Sequence, residues 1–434
     1  MMLEYKDSGI EWIGKIPKDW EVSKIKYITK IPITDGPHET PEFLDSGVPF
    51  YSVDSIVNNK IIYYPSRYIS AEDANRFDKK VKPTLNDILV GKAASTGKIA
   101  IVDEDIRFQI WSPLALIRVK ENYNPKYLMY YLLSDSGQIE IESRCTNNTQ
   151  KNISMNDINK IVVVKPNVKE QKQIADFLDK KCEEIDSIIL KIEKQIKLLK
   201  DYKNSLITET VTKGLDKNVP MKDSGIGRIG EIPKHWNTSK VKYIFSVLSG
   251  STPDTNNPEY WGEDIEWITP ADMNNIGEIY GGSRKITLLG KISSGLSILP
   301  IGSIVISNRA PIGKVNYTMT EMCTNQGCKG LVRNKNNRYF YYLTINSVEK
   351  LLLLGRGTTF LELSTNDLNN IEFIVPTSDE QKQIADFLDK KSEEIDSIIS
   401  KKEKQLELIK EHRKSLIYEY VTGKKRVRGE MDGN

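Results

Sequence analysis

The chain is poor in the residues from which many active and metal sites are built. It has three histidines, His38, His235 and His412, far apart, and none has cysteine or carboxylate neighbours at metal-ligand spacing. Its four cysteines, Cys145, Cys182, Cys323 and Cys328, form no paired framework and read as reduced thiols rather than disulfides or metal ligands. No apolar run approaches the ~20 residues that cross a bilayer. The opening MMLEYKDSGIEW lacks a basic start leading into an apolar stretch, so a cytoplasmic protein with no membrane partner is expected. Net charge is also low. At +3 over 434 residues it gives no whole-chain reason to expect a polyanion, so such a partner would need local positive charge. Hydrophobic content of 39% and charged content of 28% fit a soluble globular protein, and the length calls for two to four domains.

Enzyme motifs fail in detail. GKAASTGK, from Gly91 to Lys98, has five residues between its glycines where a phosphate-binding loop has four, and Ile99 stands where Ser or Thr would hold magnesium. NPEY, from Asn257 to Tyr260, resembles the NPPY-like motif of amino-methyltransferases, but Glu259 replaces a proline and no glycine-rich cofactor motif precedes it. No nucleophile, base and orienting group assemble, so a non-catalytic protein without a cofactor is expected.

The chain does repeat itself. KDSGIEWIGKIPKDWEVSKIKYI begins at Lys6 and KDSGIGRIGEIPKHWNTSKVKYIF at Lys222, an offset of 222 − 6 = 216. EQKQIADFLDKKCEEIDSII begins at Glu170 and returns at Glu380, an offset of 380 − 170 = 210, with Cys182 becoming Ser392 as the only change. The stretches between have diverged: DGPHETPEFLDSGVPFYSVDSI faces SGSTPDTNNPEYWGEDIEWITPADM, sharing little beyond a glycine, a proline turn and an aromatic-rich strand.

The twenty-residue repeat opens a long helix each time. Asn167 with Glu170, and Thr377 with Glu380, give the cap-x-x-Glu spacing of a helix start. Apolar positions Ile174, Leu178, Ile185, Ile188, Ile192, Ile196, Leu199 and Leu206, then Thr210, step by three, four or seven, as in a coiled-coil seam. The second copy keeps Ile384, Leu388, Ile395, Ile398, Leu406, Ile409, Leu416 and Tyr420 but has Lys402 in place of Ile192. Burying two such stripes against each other predicts an antiparallel coiled coil, with a pseudo-two-fold relating the halves and each helix start lying near the opposite globular domain.

The intervening blocks read as small α+β domains. The first contains the β-rich runs PFYSVDSIV, IIYY, DILVG, KIAIV and PLALIRV, and the second contains IEWITP, GSIVIS, GKVNYT and GLVRN. Each has one amphipathic helix, PKYLMYYLLS or RYFYYLTINS, followed by a polar loop, ESRCTNNTQKNIS or LGRGTTFLELS. Arg, Asn and Gln can form paired hydrogen bonds with base edges, so these loops suit direct readout of DNA. The same composition suits a solvated loop, and the residues alone leave both readings open.

The order of variable domain, repeated helix, variable domain and repeated helix resembles the DNA-specificity subunit of Type I restriction-modification systems. Both domains open with IP-x-x-W, Ile16-Pro17 to Trp20 and Ile232-Pro233 to Trp236, and TDGPHETP, STPDTNNPEYWG and RAPIGKV complete the pattern. The resemblance implies an α+β chain with target-recognition domains at 1–166 and 215–376, spacer helices at 167–214 and 377–423, and a basic tail at 424–434. It also implies double-stranded DNA, two methyltransferase subunits and, in the full complex, restriction/translocase subunits as partners, with a bipartite asymmetric target. By composition and family pattern, the expected DNA-binding residues of the first domain are His38, Thr40, Lys92, Ser95, Lys98, Arg144, Asn147, Asn148, Gln150 and Lys151. Those of the second are Ser251, Thr252, Arg309, Lys314, Arg356, Thr358 and Thr359. The second reading of the residues is a coiled-coil adaptor whose two globular domains bind proteins.

Overall fold

Two long helices, Val168–Lys213 and Ser378–Val421, organise the chain. The computed structural model describes residues 4–64, 67–93, 95–146, 151–227, 229–309, 311–355 and 361–427. These fall into two units, 1–193 with 404–434 and 194–403, so each unit takes half of each long helix.

The helices start as their sequence directs. The Glu170 amide donates to Asn167 Oδ1 at 3.0 Å. At the second start, Glu380 N–H donates to Thr377 Oγ1 at 3.3 Å while Glu380 Oε2 accepts from the Thr377 amide at 3.1 Å, a closed capping box. Along both helices the covered positions step alternately by three and four. They run 178, 182, 185, 189, 192, 196 in the first helix and 388, 392, 395, 399, 402, 406 in the second. This register passes through Ile189 and Ile399, leaving Ile188 and Ile398, each 44% exposed, one position off the seam. Cys182, Ser392, Ile192 and Lys402 all occupy seam positions.

Within each unit the helix segments run antiparallel. In the first, Arg413 Nε donates to Asp186 Oδ1 at 2.8 Å and Lys410 reaches Glu193 at 2.9 Å. In the second, Lys203 holds Asp396 at 2.6 Å and Lys200 holds Glu403 at 3.2 Å. The offset of 210 turns one set into the other: Asp186 becomes Asp396, Glu193 becomes Glu403, Lys200 becomes Lys410 and Lys203 becomes Arg413. At the unmatched seam position, Lys402 donates its ammonium to Gln195 Oε1 at 2.8 Å.

The globular parts share one scaffold. In the first unit an antiparallel sheet runs in the order Ile99–Ile101, Ile88–Gly91, Leu114–Ile117, Thr34–Asp35, beside a three-stranded sheet Gln109–Ile110, Val48–Tyr51, Tyr68–Ile69. In the second unit the order is Val315–Thr318, Ile304–Ser307, Cys328–Val332, Ser246–Ser249, with Ile276–Ile279 added parallel to Val315–Thr318. Its three-stranded sheet is Arg284–Ile286, Trp261–Ile268, Met322–Thr324. The expected helices form at Pro125–Leu133 and Arg338–Asn346.

The near-identical stretches meet where helix and domain join. Trp20, fully buried, donates its indole N–H to Glu170 Oε2 at 2.9 Å; Trp236, also fully buried, donates to Glu380 Oε1 at 3.0 Å. Tyr127 OH donates to the carbonyls of Val164 and Val421, and Tyr339 OH to those of Val211 and Ile374. Ile174, Ala175 and Leu178 pack in the first core, as do Ile384, Ala385 and Leu388 in the second. Asp179 accepts from Tyr130 OH at 2.7 Å and Asp389 from Tyr342 OH at 2.6 Å. In each unit, therefore, EQKQIADFLD packs on the domain that precedes it, whereas the helix pairing alone suggested the opposite one. The indole and tyrosine hydroxyls need acceptors when buried, and these carboxylates and carbonyls supply them.

The start of the basic tail is structured. Lys424 donates to the carbonyls of Ile13 and Lys15, and Arg426 pairs with Asp19 and with Glu170, the latter at 3.1 Å.

Candidate nucleic-acid interface

Both units present a turn after the edge strand of the larger sheet. In the first, Thr34–Asp35 runs into Gly36, where a side chain would strike the carbonyl of Ile110; in the second, Gly250 would strike those of Thr324 and Asn325. Only glycine lets these turns cross so close to the smaller sheet. The turns carry His38 and Thr40, both exposed, and Ser251 and Thr252, both half-buried.

Asp35 organises the first turn. Its carboxylate is fully buried and holds Lys92 at 2.5 Å, Lys80 at 2.6 Å and His38 Nε2 at 3.1 Å. Burial pushes its acidity down, but the hydrogen bonds and charges of Lys80 and Lys92 outweigh this and hold the carboxyl below its usual range. Lys92 opens the loop between strands Ile88–Gly91 and Ile99–Ile101, which is GKAASTGK; a strand follows it, not the helix a phosphate-binding loop requires. The Lys92 carbonyl accepts from the Ile153 amide at 2.9 Å, and Thr96 Oγ1 donates to the Lys151 carbonyl at 2.7 Å. Three segments expected from sequence, around 38–40, 92–98 and 151, thus lie together.

The individual side chains divide. Lys98 turns inward, donating to Ile56 O at 2.9 Å and Val53 O at 3.4 Å. Arg144 pairs at 2.8 Å with Glu140, a buried carboxylate that also accepts from the Val162 amide. Lys151 is exposed and pairs with Glu142 at 3.1 Å, and Ser95 is half-buried in the loop. Asn147, Asn148 and Gln150 lie outside the described residues.

The second unit builds the same place from different residues. Ser251 N donates to Thr324 O at 3.0 Å, and Thr252 Oγ1 to Gln326 Oε1 at 2.5 Å. Leu363 N donates to Asn308 O at 2.8 Å, matching the Ile153 to Lys92 bond of the first unit, and the backbones of Arg309 and Glu362 form an isolated antiparallel β-bridge. Lys314 turns inward as Lys98 does, donating to Pro270 O at 2.6 Å and Met273 O at 2.8 Å. Where the first unit buries the anion Asp35, the second buries the cation Lys329, whose ammonium donates to Ser249 Oγ at 3.2 Å. Burial lowers the Lys329 pKa, against the opposing charge of Glu362. Arg356, Thr358 and Thr359 lie outside the described residues.

Sequence reading missed Asp35, Lys80, Asn308, Lys329 and Glu362. Each of them resembles an ordinary surface or turn residue until its partner, up to 80 residues away, is known.

Two copies of one scaffold, alike where each meets the long helices and diverged between those junctions, define the class of internally duplicated α+β proteins. A family model described as the Type I restriction modification DNA specificity domain matches twice, over residues 17–198 and 233–408, and the chain belongs to that family. Its role is that of a specificity subunit, without catalytic chemistry of its own. The chain is 30% identical over 432 residues to the putative type I restriction enzyme MjaX specificity subunit of Methanocaldococcus jannaschii, covering 96% of each. It is 40% identical over 187 residues to the MjaIX specificity subunit of the same organism, covering 42% of each. A chain solved in work on complex assembly and conformational transition of the type I R-M system has a TM-score of 0.72 at 16% identity, covering 94% of this chain and 99% of that one. The HsdS subunit from Thermoanaerobacter tengcongensis gives a TM-score of 0.51 at 15% identity, covering 94% and 98%. Both support the fold. Among the described residues, no helix is long and apolar enough to cross a membrane.

Proposed function

We propose that this subunit reads a bipartite, asymmetric double-stranded DNA target in the cytoplasm, one half with each unit, and docks two methyltransferase subunits, with restriction/translocase subunits joining in the full complex. The observation that carries this reading is the pairing of one scaffold with two unlike loop clusters. A shared scaffold keeps the mode of approach the same, while unlike turn side chains, His38 and Thr40 in the first unit and Ser251 and Thr252 in the second, suit different bases. Phosphate contacts from the exposed turns would set position, and the base contacts would specify. A continuous helix is stiff where a loop is not, which suits a fixed spacing between half-sites.

Docking of two like partners is supported by the outer face of the repeat. Lys172, Asp176, Lys180 and Glu183 are exposed, as are Lys382, Asp386, Lys390 and Glu393, so internal packing does not account for their identity in the two copies. Of the sequence-expected contacts, His38, Thr40, Lys151, Ser251, Thr252 and Arg309 remain the described residues best placed to reach DNA, whereas Lys98, Lys314 and Arg144 are engaged within the fold. The test is co-expression with the partner methyltransferase and mapping of methylated adenines. A split motif with a fixed gap is expected, and a single uninterrupted motif would overturn the bipartite reading.

A further inference from the structure

In each unit an arginine lies over two aromatic rings at the edge of the smaller sheet. In the second unit the Arg284 guanidinium sits 3.3 Å from the Trp261 ring centroid and 5.9 Å from that of Trp267, and the two indoles meet edge to face at 5.1 Å. In the first unit Arg67 lies 5.7 Å from both Phe43 and Trp111, whose rings meet edge to face at 6.1 Å. The surrounding sequences do not align, but the strand registers do. Trp267 pairs with Arg284 on one side and Cys323 on the other. Phe50 pairs with Gln109, follows the Pro49–Tyr68 pair, and its amide donates to Arg67 O at 3.1 Å, so Phe50 faces Arg67 as Trp267 faces Arg284.

Both stacks adjoin the turns described above. Trp267 Nε1 donates to Ser251 O at 3.0 Å and Trp261 Nε1 to Asp254 O at 3.2 Å. In the first unit Ser112, next to Trp111, donates its amide to Pro37 O at 3.2 Å. Arg284 is exposed and makes no ion pair among the described residues, and Arg67, half-buried, pairs with the exposed Asp54 at 3.4 Å. Stacking fixes the plane of a guanidinium and so lowers the entropy lost when its edge forms paired hydrogen bonds. A phosphate contact requires no such fixed plane, because a flexible ammonium satisfies it.

We propose that Arg67 and Arg284 are base-reading residues, one for each half of the target. This rests on the DNA-specificity reading above. The test uses the full chain with its methyltransferase partner and compares wild type with Arg284→Lys, Arg284→Gln and Arg67→Gln. The wild type must first yield a split motif; if it does not, the reading beneath the proposal fails and not the proposal alone. Given a split motif, Arg284→Lys and Arg284→Gln are each expected to lose about 5- to 150-fold discrimination at one base pair of one half-site, leaving the other half unchanged. Arg67→Gln is expected to do the same in the opposite half. Loss in Arg284→Gln that is uniform across sequences and absent in Arg284→Lys would mean a phosphate contact and overturn base reading. Unchanged discrimination in all three variants would show the stacks to be surface packing and overturn it as well.

Discussion

The two units differ least where helix meets domain and most where loops gather, and the contrast shows which constraint acts on each region. At the junction, Trp20 and Trp236, Tyr127 and Tyr339, Glu170 and Glu380 recur because a buried indole and a buried phenol each need one acceptor in one place. At the loops, a buried Asp35 with Lys80 and Lys92 gives way to a buried Lys329 with Ser249. One scaffold carries both because each buried charge has its own partner nearby.

The most severe way to break the likeness is at the junction. Trp20→Ala and Trp236→Ala should each cost about 3–5 kcal/mol, since each removes a fully buried indole and one of the donors to a carboxylate. Urea denaturation of the two variants should give similar losses; a large difference would mean the junctions are not energetically equivalent.

Acid should then separate them. Burial raises the pKa of Glu380, but hydrogen bonds from Thr377, Trp236 and His235 prevail and draw it down to about 2. Burial raises the Glu170 carboxyl, and there it prevails over the Trp20 hydrogen bond and the charge of Arg426. A lowered carboxylate stabilises the fold above its unfolded pKa and loses that contribution as pH falls toward 2, whereas Glu170 gives no such loss. Glu380→Gln should therefore flatten the acid limb of the stability curve by about 1–2 kcal/mol, and Glu170→Gln should not, as read by denaturation at a series of pH values.

The helix ion pairs test the likeness more gently. Arg413→Ala and Lys203→Ala should each cost about 1 kcal/mol, and Arg413→Lys should cost less, because Lys203 already makes the equivalent pair with Asp396. Double-mutant cycles with Asp186→Ala and Asp396→Ala would measure the two couplings. The smallest effect belongs to Cys182→Ser, which makes the two twenty-residue copies identical. Burial pushes the Cys182 thiol up to about 11, so the group is an inert seam residue. Assembly with both partner subunits should persist, with a stability change within about 1 kcal/mol, measured by size-exclusion chromatography and denaturation.

Heptad spacing, caps and the duplicated order were legible because they depend on neighbours a few residues away. The β-rich runs DILVG, KIAIV, GSIVIS and GKVNYT each contain the strand they suggested. Even within the helices, periodicity placed Ile188 and Ile398 on the seam, while the structure put Ile189 and Ile399 there, because candidates one residue apart are resolved only when a partner helix is present.

The sequence by itself determined the two long helices, the α+β domains and their duplication, since local propensity and periodicity act over one or two turns. Only the tertiary structure decided which charges face inward. Lys98 and Lys314 looked like free cations until carbonyls more than 40 residues away were brought to them. Likewise, Arg67 and Arg284 became counterparts through strand register, because hydrogen-bonded ladders align backbone positions whatever side chains they carry.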